Sequence, residues 1–201
     1  MTASRARQLT ENLIIAIAYL YFADAHFAII RGGSPQWYIV APMVVQETIL
    51  AAMFVCRRPS QATSPRVVDW VVGIAGSFAP LLVRPTNDGN VIGTILQMVG
   101  LTIALAALLS LRRSMGIVAA NRGVVTGGVY RFVRHPMYLG HIICLAGYFI
   151  SYTTAYNTAA IVVTYWAIVC RMDAEEKWLR NSIPYRRYME RAKWRLVPCV
   201  Y

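Results

Sequence analysis

Charge is scarce in this sequence. Only 14% of its 201 residues are Asp, Glu, Lys or Arg, where a soluble domain carries roughly 25%. Acidic groups are the scarcest, nine against twenty basic ones, for a net charge of +11. The four cysteines, Cys56, Cys144, Cys170 and Cys199, are scattered. None has the spacing of a metal ligand set or a disulfide framework, so we read them as free and mostly packed, with no metal site. Internal repeats and low-complexity tracts are missing too. The first twelve residues are short and polar, and no cleavable signal peptide is expected: the apolar run that follows is too long and lacks a small-residue cleavage site. A positive balance often means nucleic acid. Here the cations flank apolar runs instead of gathering on one basic face, which argues against it.

What is abundant is apolar residue, 57% of the chain, arranged in long runs. Runs of that length point to an integral membrane protein. The spans expected are about Leu13–Ile30, Tyr38–Cys56, Val67–Val83 and Val91–Leu111, followed by 34 largely apolar residues from Met137 to Cys170. One straight helix of 34 residues would be about 50 Å long, more than the hydrocarbon core needs. The polar cluster Ser151–Asn157 offers a turn, so this last run reads as a hairpin of two helices. Turns are expected at Arg31–Trp37 and Arg84–Asn90, and a Pro- and Ser-rich loop at Arg57–Arg66. Past Cys170, Asp173–Asn181 reads as a helix broken by Ile183-Pro184, and Tyr185–Lys193 as one more short helix.

Counting Lys and Arg on alternate sides gives 18 on one side and 2 on the other. This predicts an all-α polytopic membrane helix bundle of six spans, with both termini in the cytoplasm and short cytosolic C-terminal helices. Asp24, His26 and Glu47 lie inside apolar runs and should face other helices or a cavity. Asp24 and Glu47 can lie at similar depth on neighbouring helices, as a structural polar network or as part of a substrate or proton path. Asp69 and Trp70 read as interface residues.

The densest chemistry is Gly123–Gly140. Gly123, Gly127 and Gly128 allow tight turns and close approach to a ligand. Pro136 sits where a first helical residue should. The free N–H groups of that first turn, beside His135 and Tyr138, can seat an anionic group. The other reading is a basic loop at the headgroup boundary. On the same side, the tail begins Arg171-Met-Asp-Ala-Glu-Glu-Lys-Trp-Leu179. On a helix Arg171 and Glu175 share a face. Such a pair can hold both halves of a zwitterion, or be an ordinary solvated ion pair.

These segments together, Gly128-Val-Tyr-Arg-Phe-Val-Arg-His-Pro-Met-Tyr-Leu-Gly140, then Arg171–Leu179, then Tyr185-Arg-Arg-Tyr188, resemble the isoprenylcysteine carboxyl methyltransferase family. Phospholipid N-methyltransferases are similar at greater distance. The resemblance covers about residues 112–198. It implies a methyltransferase region at 112–201 behind a four-span region at 1–111, and a cytosol-facing site for S-adenosyl-L-methionine, which leaves as S-adenosyl-L-homocysteine. Cofactor contacts would fall on Arg122, Gly123, Val124, Val125, Tyr130, His135, Pro136, Met137, Tyr138, Glu175 and Glu176. Arg171, with Arg134 as a further candidate, would face the methyl acceptor.

Three departures from the family pattern stand out. The acidic run is reduced to Asp173-Ala-Glu-Glu176, Gly127 replaces a small hydroxyl residue, and the early spans of eukaryotic members are lacking. The function expected is methyl transfer to a lipophilic acceptor in the membrane, carboxyl O-methylation of an isoprenylcysteine-like substrate. The nearer alternative is N-methylation of a lipid amine. The alternative from another class is a small transporter or assembly protein, against which stands the lack of inverted repeats or mid-membrane breaks.

Overall fold

The computed structural model describes residues 3–35, 37–60, 62–84, 90–118 and 120–200. Helices dominate, and the described residues form two compact units.

The first unit comprises Met1–Pro59 and Arg112–Met115. Its frame is a pair of helices, α1 (Ala3–Arg31) and α2 (Trp37–Cys56). Helix α1 begins ten residues before the expected span. The polar segment before Leu13 is rich in good helix formers and carries an i,i+4 pair, Arg7–Glu11 at 3.0 Å. Gly32-Gly33 ends it, with Gly33 at φ +77°. Asn12, Ala16, Tyr19 and Ala23 form one buried stripe, and Tyr19 stacks on Phe54 of α2 at 5.7 Å. The opposite face exposes Ile14, Ile17 and Tyr21, the arrangement of a helix whose solvent is lipid. Glu47 is paired with His26, whose Nδ1 lies 3.0 Å from the carboxylate. Asp24 is not part of that pair: it is exposed and bonded to Arg31 at 3.1 Å. Of the ionisable groups expected to face other helices or a cavity, His26 and Glu47 do so as a pair, whereas Asp24 lies off the stripe that faces α2.

The second unit comprises Ser60–Leu111 and Gly116–Tyr201. It holds α3 (Val67–Phe78), α4 (Val91–Leu111), α5 (Pro136–Ser151), α6 (Ala155–Leu179) and α7 (Ile183–Arg191). A two-residue antiparallel bridge joins β1 (Ala62–Thr63) to β2 (Ala120–Asn121). A turn at 152–154, inside the polar cluster, separates α5 from α6, as expected, though α6 is longer than the short helix expected there. Helix α6 then runs through Cys170 to Leu179 without a break, so the expected tail helix is its continuation. Helix α3 stops at Phe78 and tightens into a 3-10 turn at Ala79–Leu82, shorter than the span expected. Asp69 is buried and accepts from the Ser64 hydroxyl, an anchor at the N-terminal end of α3. Residues 85–89 of the second expected turn, and Gln36 of the first, lie outside the described residues.

Helices α4 and α5 pack backbone against backbone. A Cβ added at Gly100 would collide with Cys144 N, and one at Gly140 would lie 2.5 Å from Ala104 N. Gly93 and Gly147 make the same approach one heptad along each helix. Small residues let helices approach this closely where lipid supplies no hydrophobic drive between them. Gln97, buried on α4, donates to Ser151 of α5 at 3.1 Å. At the far end Asn157 holds both backbone groups of Arg84 and the Tyr152 carbonyl, tying the hairpin turn to the segment after α3.

Among the described residues, three helices are long and apolar enough to cross a membrane: Arg7–Arg31, Trp37–Cys56 and Val91–Ser114. All four cysteines are free, as expected. They are less packed than expected: Cys56 and Cys199 are exposed, and Cys144 and Cys170 half-buried.

Candidate active site

The site forms within the second unit, where the loop before α5 meets the end of α6 and the tail. Two glycines shape that loop. Gly123 has φ +95° and Gly128 +60°, conformations side chains rarely adopt, and a Cβ on Gly128 would strike the Ser110 hydroxyl. Gly127 has an ordinary φ of −99°. Pro136 is the first residue of α5, where its missing N–H costs nothing.

Glu176 is the hub. It is 2% exposed, and three arginines and a histidine surround it. Arg134 Nε donates at 2.8 Å, His135 Nε2 lies at 3.0 Å, Arg180 donates at 3.0 Å to the second oxygen, and Arg195 approaches at 3.3 Å. Burial pushes this carboxyl up, but the hydrogen bonds and charges of His135 and Arg134 outweigh it. The net effect holds Glu176 well below the usual carboxylate range.

The tail straps this hub in place. The backbone N–H groups of Arg134 and His135 donate to Trp194 and Arg195 carbonyls, each at 2.9 Å. The Arg134 guanidinium also donates to the carbonyls of Ala192 and Lys193, and Arg195 pairs with Asp173. Tyr188 of α7 donates to Tyr130 O at 2.7 Å, closing the loop from below.

Beside the hub lies an apolar cluster of Ala107, Tyr130, Tyr185, Tyr188 and Ala192, with Val124, Val125, Met137 and Leu179 packed on it. Burial, and then the charge of Glu175, push the Tyr130 hydroxyl well above its ordinary pKa. On the other side, Arg171 is buried. It donates to the Ser77 hydroxyl at 2.8 Å and to Gly116 O at 2.7 Å, and its guanidinium carbon stands 5.4 Å from the Tyr138 ring centre. The Tyr138 ring is 5.5 Å from that of His135. Glu175 lies one turn from Arg171, 3.9 Å away, with a fifth of its side chain exposed. Arg122 packs against Gly116, on the Arg171 side.

Ten of the thirteen predicted residues fall into three groups, with Arg122, Gly123 and Pro136 outside them. Arg134, His135 and Glu176 form the hub. Val124, Val125, Tyr130 and Met137 line the apolar cluster. Tyr138, Arg171 and Glu175 stand together. The expected ligand contact of His135 goes to a carboxylate of the chain itself. Tyr185, Tyr188 and Arg195 were not among the expected site residues. The tyrosine pair was visible as a motif, whereas Arg195 left no signal, because it enters through backbone pairing of the tail.

Comparison with known proteins agrees with this picture. Residues 89–185 match the family described as Phospholipid methyltransferase. A "Probable protein-S-isoprenylcysteine O-methyltransferase" of Oryza sativa, in both the indica and japonica subspecies, is 27% identical over 175 residues, 78% of this chain and 91% of the rice protein. "Protein-S-isoprenylcysteine O-methyltransferase A" of Arabidopsis thaliana is 30% identical over 106 residues, 50% of this chain and 54% of the plant protein. Both comparisons support the isoprenylcysteine carboxyl methyltransferase family that the motifs resemble, and with it an enzyme that transfers methyl groups at a membrane.

Proposed function

We propose, from this family relationship, that the chain is a multi-pass membrane methyltransferase whose donor is S-adenosyl-L-methionine. Its acceptor is the carboxylate of an isoprenylcysteine-like lipid, and its site faces the cytoplasm. The observation that carries the reading is the division of labour between adjacent carboxylates. Glu176 is saturated by Arg134, His135, Arg180 and Arg195, and so welds loop to tail. Glu175 keeps an exposed edge beside Tyr138 and Arg171.

The residues present fit the donor's parts. Glu175 is the carboxylate for its ammonium or sulfonium charge, and the wall of Tyr130, Val124, Val125 and Met137 suits adenosine. When bound, the donor supplies an activated methyl group for an in-line displacement. The protein's contribution is alignment and exclusion of water. Arg171, rigid through Ser77 and Gly116, presents positive charge to the acceptor carboxylate. Arg122 lies on that side, against Gly116. Arg134 and His135 act from the hub, as positioning groups. The methyltransferase region is 112–201, and 1–111 supplies the lipid-facing helices.

The second reading, N-methylation of a phospholipid amine, draws on the match to the Phospholipid methyltransferase family. Assays with a prenylated cysteine acceptor and with phosphatidylethanolamine vesicles separate the two.

Detergent-solubilised protein should bind S-adenosylhomocysteine in a calorimeter, and Glu175→Ala should lose at least tenfold in affinity at unchanged melting temperature. A wild-type protein that takes up none of the homocysteine product would defeat the donor assignment. Equal affinity in the variant would defeat the role of Glu175.

A further inference from the structure

Tyr185 is a buried polar group that the hub does not use. It stands in the first turn of α7, 4% exposed, its ring 5.8 Å from that of Tyr188. The two tyrosines share one apolar cluster with Tyr130, yet their hydroxyls have opposite fates. The hydroxyl of Tyr188 donates to the Tyr130 carbonyl at 2.7 Å. The hydroxyl of Tyr185 has no hydrogen-bond partner among the described residues. Buried polar groups are nearly always paired, and a phenylalanine would fill the same space without the penalty. Burial, followed by the charges of Glu176 and Glu175, pushes the Tyr185 hydroxyl above its ordinary pKa. It therefore stays protonated and can act as a donor.

We infer that the Tyr185 hydroxyl donates a hydrogen bond to the nucleoside half of the methyl donor, at a ribose oxygen or a ring nitrogen. This rests on the donor assignment proposed above. The nucleoside half is favoured over the amino-acid half for two reasons. The neighbours Tyr130, Val124, Val125 and Met137 offer an apolar wall suited to a flat uncharged ring. The amino-acid head has its proposed place elsewhere, at Glu175 beside Arg171. A single donor set in such a wall discriminates sharply against ligands that lack the matching acceptor.

The test uses the solubilised full chain, with S-adenosylhomocysteine and with 5′-methylthioadenosine, which lacks the amino-acid head. Tyr185→Phe should weaken binding of both about fivefold in a calorimetric titration, the net strength of one hydrogen bond. Its melting temperature without ligand should stay the same or rise. Tyr188→Phe, which strips a bond from the Tyr130 carbonyl, should lower that melting temperature. The inference is overturned by unchanged affinity in Tyr185→Phe, by a loss confined to the ligand carrying the amino-acid head, or by weakened binding together with a lower unliganded melting temperature. Lack of any binding in the wild-type protein would instead overturn the donor assignment from which the inference starts.

Discussion

Side chains one residue apart can have unlike tasks, and Glu175 and Glu176 are the case here. Glu176 is buried among guanidinium groups, so removing its charge strands several cations at once. Breaking such a buried pair costs roughly 3–5 kcal/mol. Glu176→Gln, which keeps the shape and drops the charge, should therefore lower the melting temperature sharply at pH 7. The pH dependence follows from the depressed folded-state pKa. The charge of Glu176 contributes its full stability above the unfolded-state carboxyl pKa of about 4.3, and loses it as pH falls below that value toward the folded-state pKa. The stability gap between wild type and Glu176→Gln should hold from pH 7 to about 5 and then narrow with acid. A gap that stays constant down to pH 3 would show that Glu176 holds the loop by shape alone. The sequence marked both acids but could not rank them, since which one faces inward depends on where α6 meets the tail.

Among the elements, the α4–α5 pair decides where the site begins. Its glycines bring the two backbones into contact, and α5 carries Pro136–Tyr138 at its first turn. A methyl group at Gly140 has only backbone to displace, at 2.5–2.6 Å. Gly140→Ala should then destabilise the protein by about 1–3 kcal/mol, the usual cost of overpacking. Gly127→Ala should be near neutral, because a Cβ there meets nothing within 4 Å and its φ is ordinary. Thermal melts of the two variants in one detergent check the contrast. Comparable losses at both positions would mean that the close approach does not govern packing. The last helix begins at Ile183, two residues before the expected Tyr185, because Pro184 sits in its first turn instead of only breaking the helix before it. The helix start at Pro136 and the turn after Ser151 were legible in proline and polar clusters. The merging of the tail helix into α6 was not: the change from apolar to charged residues at Cys170 alters the solvent of the helix without interrupting its hydrogen bonds.

For the whole molecule, the charge asymmetry makes a claim about topology that labelling can decide. With six spans, Cys199 lies on the cytoplasmic side and the α5–α6 turn on the other. Thr153 is exposed at that turn. In a chain whose remaining cysteines are serine, a membrane-impermeant maleimide should reach Cys199 only from the cytoplasmic face, and Thr153→Cys only from the opposite face. Labelling of both from one side would remove the hairpin from the membrane and the six-span arrangement with it.

The sequence by itself carried the expectation of a helical membrane protein, the resemblance to the methyltransferase family, and the two polar stretches proposed to hold its chemistry. Hydrophobic run length and the Arg-His-Pro and Glu-Glu motifs are local properties, readable without coordinates. Only the tertiary structure decided which carboxylate is buried, that His26 and not Asp24 meets Glu47, and that residues 192–195 strap the loop through its backbone. Those outcomes depend on helix rotation and on carbonyls that every residue possesses, so no residue type announces them in advance.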